Sequence, residues 1–246
     1  MDGASGKVLW KYETAKHPRC GCIDDAVALY DISGDGKKEV FFGSTMTKEF
    51  FCFSGKGKVI WKYEIAERAI FDSACAIADV NGDGKPEVIF GVTGRVGGGK
   101  YGVLYVLEAK DGRFLWKKAF FGQCQCEPVL IDVDNDGLRD IIVSVHMSPK
   151  REHRKIHALR GKDGKELWSY HTGERFQYHN VSVGDLAGDG RVELAIAAKD
   201  RIILLSTEGK LIWEFKADRM VFGPVSYTHL RAHETSLHLV CRLLLE

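Results

Sequence analysis

One nine-residue pattern occurs four times in the chain: D-I-S-G-D-G-K-K-E at 31–39, D-V-N-G-D-G-K-P-E at 79–87, D-V-D-N-D-G-L-R-D at 132–140 and D-L-A-G-D-G-R-V-E at 185–193. Successive first aspartates lie 48, 53 and 53 residues apart. That period fits one four-stranded sheet per repeat, and such units bury their faces only by stacking on one another. The expected fold class is therefore all-β, a β-propeller of four-stranded blades.

A second repeat runs in register with the first. Gly6, Gly57, Gly112, Gly164 and Gly209 are each followed four positions later by a tryptophan: Trp10, Trp61, Trp116, Trp168 and Trp213. The flanking text, such as G-K-V-I-W-K-Y and G-K-L-I-W-E-F, starts a strand out of a glycine turn. All five tryptophans of the protein are used in this way. A large ring recurring once per sheet predicts packing between neighbouring blades, with the indole N–H reaching a partner at the blade edge.

These two rulers predict complete blades at about 24–64, 72–120, 126–171 and 179–216, with partial blades at both ends of a 1–225 propeller region. A piece of a larger ring of seven or eight blades is expected. From residue 226 the text loses its glycines and its strand alternation, and it carries three of the nine histidines. It is similar to adapter-derived sequence, so 226–246 are expected to be a non-native or disordered tail. With 35 basic and 34 acidic residues the chain has no bulk field that would favour nucleic acid. No apolar run approaches the length of a membrane span.

The aspartate loops present oxygen at positions 1, 3, 5 and 9, with a glycine at position 6 where the turn is sharp. Oxygen-rich loops of this kind suit a hard cation. The candidate ligands are Asp31, Ser33, Asp35 and Glu39; Asp79, Asn81, Asp83 and Glu87; Asp132, Asp134, Asp136 and Asp140; and Asp185, Asp189 and Glu193, with Ala187 breaking the pattern in loop four. Carboxylate count ranks loop three first. An EF-hand is excluded, because position 12 is Phe42, Phe90, Val143 or Ile196 rather than a bidentate glutamate. The bland alternative is a set of turns closed by Asx hydrogen bonds.

At 79–91 the text D-V-N-G-D-G-K-P-E-V-I-F-G resembles the FG-GAP (VCBS-type) repeat of integrin-like propellers. The A-L-R-G-K-D-G-K-E-L-W stretch at 158–168 is similar to the tryptophan docking motif of quinoprotein-like (PQQ-like) propellers. The first resemblance implies structural Ca2+ in the loops between first and second strands. The second implies fold alone: the adjacent cysteines of the quinone-dependent enzymes are absent, and no PQQ is expected.

Up-and-down strand order puts the blade-to-blade connectors on the face opposite the aspartate loops. Candidate ligand-binding residues there are Arg68, Asp72, Glu127, Arg175, Tyr178, His179 and Arg219. The mixture suits a carbohydrate or a protein ligand. The Cys20/Cys22 and Cys124/Cys126 pairs read as free or separately paired thiols, with a shared soft metal as the alternative. No G-x-S-x-G, H-E-x-x-H or phosphate loop is present. The expectation is a secreted, periplasmic or cell-surface binding module stabilised by calcium. The runner-up is a polysaccharide lyase using Arg175, Tyr178 or His179.

Overall fold

Short apolar runs between glycine turns fold as antiparallel sheets, in chain order in blades one, three and four. The computed structural model describes residues 4–14, 26–45, 47–71, 73–125, 127–174, 181–219 and 221. Blade one comprises β1 (Ala28–Tyr30), β2 (Glu39–Gly43), β3 (Glu49–Phe53) and β4 (Val59–Glu64). Blade two contains β5 (Arg68–Phe71), β6 (Ala76–Ala78), β7 (Glu87–Gly97), β8 (Lys100–Glu108) and β9 (Phe114–Phe120). Blade three is β10 (Val129–Ile131), β11 (Asp140–Val145), β12 (Lys155–Leu159) and β13 (Glu166–His171). Blade four is β14 (Val181–Gly184), β15 (Glu193–Ala198), β16 (Arg201–Ser206) and β17 (Leu211–Lys216). The innermost strands β1, β6, β10 and β14 are neighbours in succession, which sets the blades around one axis.

Blade two differs from the repeat template. Its β7 runs for 11 residues and pairs β6 over Ile89–Glu87 and β5 over Arg95–Val92. The inner strand is thus split in two, because a β7 longer than the short first strand leaves backbone that β5 satisfies.

Period-two alternation explains why the second and third strands are apolar on both sides. Val88, Phe90 and Val92 pack with Phe41, Phe50 and Trp61 of blade one, whereas Ile89, between them, packs with Ile141, Val143 and Val145 of blade three. Ile142 in turn faces Leu194, Ile196 and Ile203 of blade four. Each seam is a core, and a fully buried side chain of this size contributes roughly 1.5–3 kcal/mol.

The tryptophans close these seams from the rim. Trp10, Trp61, Trp116 and Trp168 donate their Nε1–H to the carbonyls of Gly55, Ala109, Gly161 and Thr207 in the next blade, at 3.1, 2.9, 3.0 and 2.8 Å. Each ring lies on the glycine of that blade's turn. A Cβ on Gly57, Gly112, Gly164 or Gly209 would sit 2.5 to 2.7 Å from the indole, and all four have positive φ, from 68° to 79°. Glycine is required there both for the backbone and for the ring. Trp213, on β17, is 39% exposed and meets no acceptor among the described residues.

Candidate metal centres and the opposite face

The four aspartate loops share one internal scaffold. The position 1 carboxylate accepts the position 6 amide: Asp31 from Gly36, Asp79 from Gly84, Asp132 from Gly137 and Asp185 from Gly190, at 2.7 to 2.9 Å. Its other oxygen accepts the position 4 amide of Gly34, Gly82 or Gly188 at 2.7 Å. In loop three position 4 is Asn135 at φ 60°, and the Asp136 amide bonds Asp132 instead at 3.2 Å. The position 5 carboxylates of Asp35, Asp83, Asp136 and Asp189 accept the amides of Lys37, Lys85, Leu138 and Arg191. The position 9 carboxylates reach back across the loop. Glu39, Glu87, Asp140 and Glu193 accept the amides of Ile32, Val80, Val133 and Leu186, at 2.7 to 3.1 Å. These Asx-type bonds fix the loop backbone and hold the carboxylates close together.

Three clusters of acidic oxygens result, each within 4.8 Å: Asp83, Glu87 and Glu108; Asp132, Asp134 and Asp136; Asp185, Asp189 and Glu193. Burial first, and repulsion from neighbouring carboxylates second, raise the position 9 carboxyls of loops two and three. Burial, with the charges of Asp79, Asp83 and Glu108, pushes the Glu87 carboxyl up to about 7 against the pull of the Val80 amide. Burial, with Asp134 and Asp136, likewise raises Asp140 to about 6. Such an oxygen-only donor set fits a hard divalent cation. Loop one is looser. Asp35 is paired with Lys37 at 2.9 Å, and its carboxyl is held below the usual range by that lysine.

Glu108 was not among the sequence candidates. It ends β8 directly opposite Glu87, is 5% exposed and pairs with Arg113 at 2.5 Å. Blade four has Ser206 opposite Glu193, so the extra carboxylate belongs to blade two and equalises its count with loop three. The guanidinium of Arg160 sits beside loop three. Its main partner is Asp163, and Asp134 and Asp136 add to the field that holds it above its usual range.

The loop pattern is reproduced by a sequence profile. The profile of FG-GAP-like repeats matches residues 31–90 and 132–196, just over half of the chain. The chain belongs to the FG-GAP-like repeat family. No curated protein sequence matches it. Among solved structures, the V. cholerae biofilm matrix protein Bap1 is similar at 20% identity and a TM-score of 0.57, over 78% of this chain and 28% of that one. The quinohemoprotein alcohol dehydrogenase of Comamonas testosteroni is similar at 17% identity and 0.60, over 79% and 35%. BamB of Moraxella catarrhalis is similar at 15% identity and 0.50, over 79% and 51%. The FG-GAP-like chain thus spans between about a quarter and a half of these proteins, and the likeness is one of propeller fold.

On the face opposite the FG-GAP loops, hydrogen bonds tie each connector to the neighbouring hairpin. Ile65 bonds to Lys48, Thr172 to Arg154 and Ala217 to Asp200, while Gln123 and His146 exchange backbone bonds at 2.7 and 3.1 Å. Of the candidates for this face, Arg68 lies on β5, and Arg219 is exposed beyond β17. Glu127 lines an axial cavity of about 580 Å³ together with Tyr30, Ile77, Asp79 and Arg139. Asp72, Arg175, Tyr178 and His179 lie outside the described residues, as do Cys20, Cys22, Cys126 and the tail 226–246. Cys124 is fully buried in the seam between blades two and three, with Gly91 and Gly102 packed against it. Cys52 is buried too, and burial pushes its thiol up to about 12, which keeps it unreactive. Among the described residues, no helix is long and apolar enough to cross a membrane.

Proposed function

We propose that this FG-GAP-like chain is part of a calcium-stabilised extracellular propeller that binds a ligand, carbohydrate before protein, on the face opposite its aspartate loops. The observation that carries the reading is the set of three carboxylate clusters held within 4.8 Å on backbone-fixed loops. Asp83, Glu87 and Glu108, with Asn81 and Asp79, would hold one ion. Asp132, Asp134, Asp136 and Asp140 would hold a second, and Asp185, Asp189 and Glu193 a third. In loop one Asp31, Ser33, Asp35 and Glu39 offer a weaker site. Bound calcium would neutralise charge that the fold otherwise bears and would cross-link the first and second strands of a blade. Extracellular sites of this type bind on the order of 10⁻⁴ to 10⁻³ M. Sites of that affinity fill only where free calcium is high, which supports a secreted, periplasmic or surface setting, and the fold likeness to a biofilm matrix protein agrees with it. The ion's role is structural, and the reading assigns no quinone cofactor.

Thermal melting with calcium and with chelator tests the proposal. At ten times the dissociation constant each site adds about 1.4 kcal/mol, or about 4 kcal/mol for three. A melting temperature that calcium leaves unmoved refutes the metal reading. Retention of glycans without turnover is the expected result for the ligand face, and unsaturated products from uronic-acid polymers would contradict it.

A further inference from the structure

The repeat departs from its own template at two places, and both lie on the face opposite the FG-GAP loops. The first is the β7–β8 hairpin, with strands of 11 and 9 residues where the other blades use 5 or 6. Its tip is Gly97, Gly98 and Gly99, all at positive φ. The second is the link between β11 and β12, which carries a 3₁₀ turn at Arg151–His153, while blade four makes the same connection with Lys199 and Asp200 alone. Repeat proteins concentrate such elaborations on the binding face.

The two elaborations meet. His153, from the 3₁₀ turn, stacks on Phe121 of the connector at 4.6 Å between ring centroids and 20° between planes. Lys100, next to the glycine tip of the long hairpin, places its Nζ 5.7 Å from the Phe121 centroid. Phe121 remains 43% exposed. The link is rigidly held: buried Arg154 donates from Nε and Nη2 to the Ser148 carbonyl at 3.2 and 3.1 Å, and from Nη1 to the Gly173 carbonyl at 3.4 Å. The 3₁₀ turn that carries His153 also carries the exposed Arg151, with the exposed Lys150 directly before it. Glu152 and Glu174 partly offset them, at 3.6 Å from Lys150 and from Arg151.

We infer that this platform is a subsite for an acidic polysaccharide. The part of the Phe121 ring left open beside His153 and Lys100 takes the C–H groups of a pyranose, whose partial positive charge suits an aromatic ring. The ammonium and guanidinium groups take the carboxylates or sulfates of that sugar and its neighbours. A single-stranded polynucleotide would also stack. It binds by stacking successive bases on successive rings, whereas this platform offers the one exposed ring of Phe121. The inference rests on the reading of this face as the ligand face and names its ligand class.

The test is isothermal titration of the calcium-loaded chain with polygalacturonate, dextran and poly-dA. The variants are Phe121→Ala and the double variant Lys100→Ser with Lys150→Ser. Wild type is expected to bind polygalacturonate, more weakly as salt rises, and dextran at least tenfold less tightly. Each variant should lose at least tenfold in polygalacturonate affinity while its melting temperature falls by no more than about 4 °C, since Phe121 and Lys150 are exposed and Lys100 is half-exposed. Tight polygalacturonate binding that neither variant alters overturns the subsite while leaving glycan binding by the protein intact. Binding of no glycan at all removes both the subsite and the ligand-face reading. Poly-dA bound as tightly as polygalacturonate replaces the glycan with a polynucleotide and overturns the inference.

Discussion

Trp61→Ala and Trp213→Ala change the same residue in the same repeat position and should differ sharply in cost. Trp61 is 9% exposed, donates to Ala109 at 2.9 Å and packs with Phe41 and Phe50 at centroid distances of 6.0 and 6.1 Å. Truncating a buried tryptophan to alanine costs about 3–5 kcal/mol. Of that, about 1 kcal/mol is the hydrogen bond lost to the Ala109 carbonyl. In a domain of this size each kcal/mol moves the melting temperature by roughly 2–4 °C, so a fall of roughly 6–20 °C is expected. Trp213, 39% exposed with no acceptor among the described residues, should cost no more than about 1 kcal/mol. Circular dichroism melts of the two variants, beside urea titrations, provide the comparison. Because stacked repeats uncouple when one interface weakens, Trp61→Ala should also broaden the transition or split it. Equal costs for the two variants would refute the idea that the ring acts by docking on the next blade.

The calcium-free protein should lose stability as pH rises, through Glu87 and Asp140. Their folded values of about 7 and about 6 lie above the ordinary carboxylate range, so the fold favours the protonated forms, and that contribution fades from roughly pH 4 to 7. Calcium takes the ionised forms, so its stabilisation should grow between about pH 5 and pH 8, and Glu87→Gln should reduce that growth; melts with calcium and with chelator across this range provide the check. Gly91→Ala should cost about 1–3 kcal/mol by overpacking, since its Cβ would lie 2.4 Å from the backbone oxygen of Cys124. A urea midpoint equal to wild type would refute that close approach between blades two and three.

The sequence made the architecture legible because both repeated motifs act within or between adjacent blades. The Gly-to-Trp spacing already implied docking, and the structure adds the acceptor carbonyl and the turn glycine under each ring. Other features depend on register rather than motif. Glu108 sits outside every loop, and only its pairing opposite Glu87 in the β7–β8 ladder brings it to the metal cluster. The position 9 carboxylates looked like ligands alone, yet each also fixes the amide of position 2, a role that appears only when the loop has folded back on its strand. The Phe121–His153 stack joins a connector to a hairpin 32 residues away in the chain, and no local pattern signals it. Splitting of the inner strand into β5 and β6 follows from the length of β7, which alternation alone did not bound.

Calcium stoichiometry measured by equilibrium dialysis tests the central claim most directly, at free calcium on the order of 10⁻² M, about ten times the weakest dissociation constant expected. The account predicts at least three ions per chain, one for each acidic cluster. Asp83→Asn and Asp189→Asn should each remove one ion. Both substitutions keep the oxygen that accepts the Lys85 or Arg191 amide, so the melting temperature in chelator should stay at the wild-type value. No bound calcium, or a count unchanged by either substitution, would show that the FG-GAP loops of this chain are hydrogen-bonded turns and not metal sites.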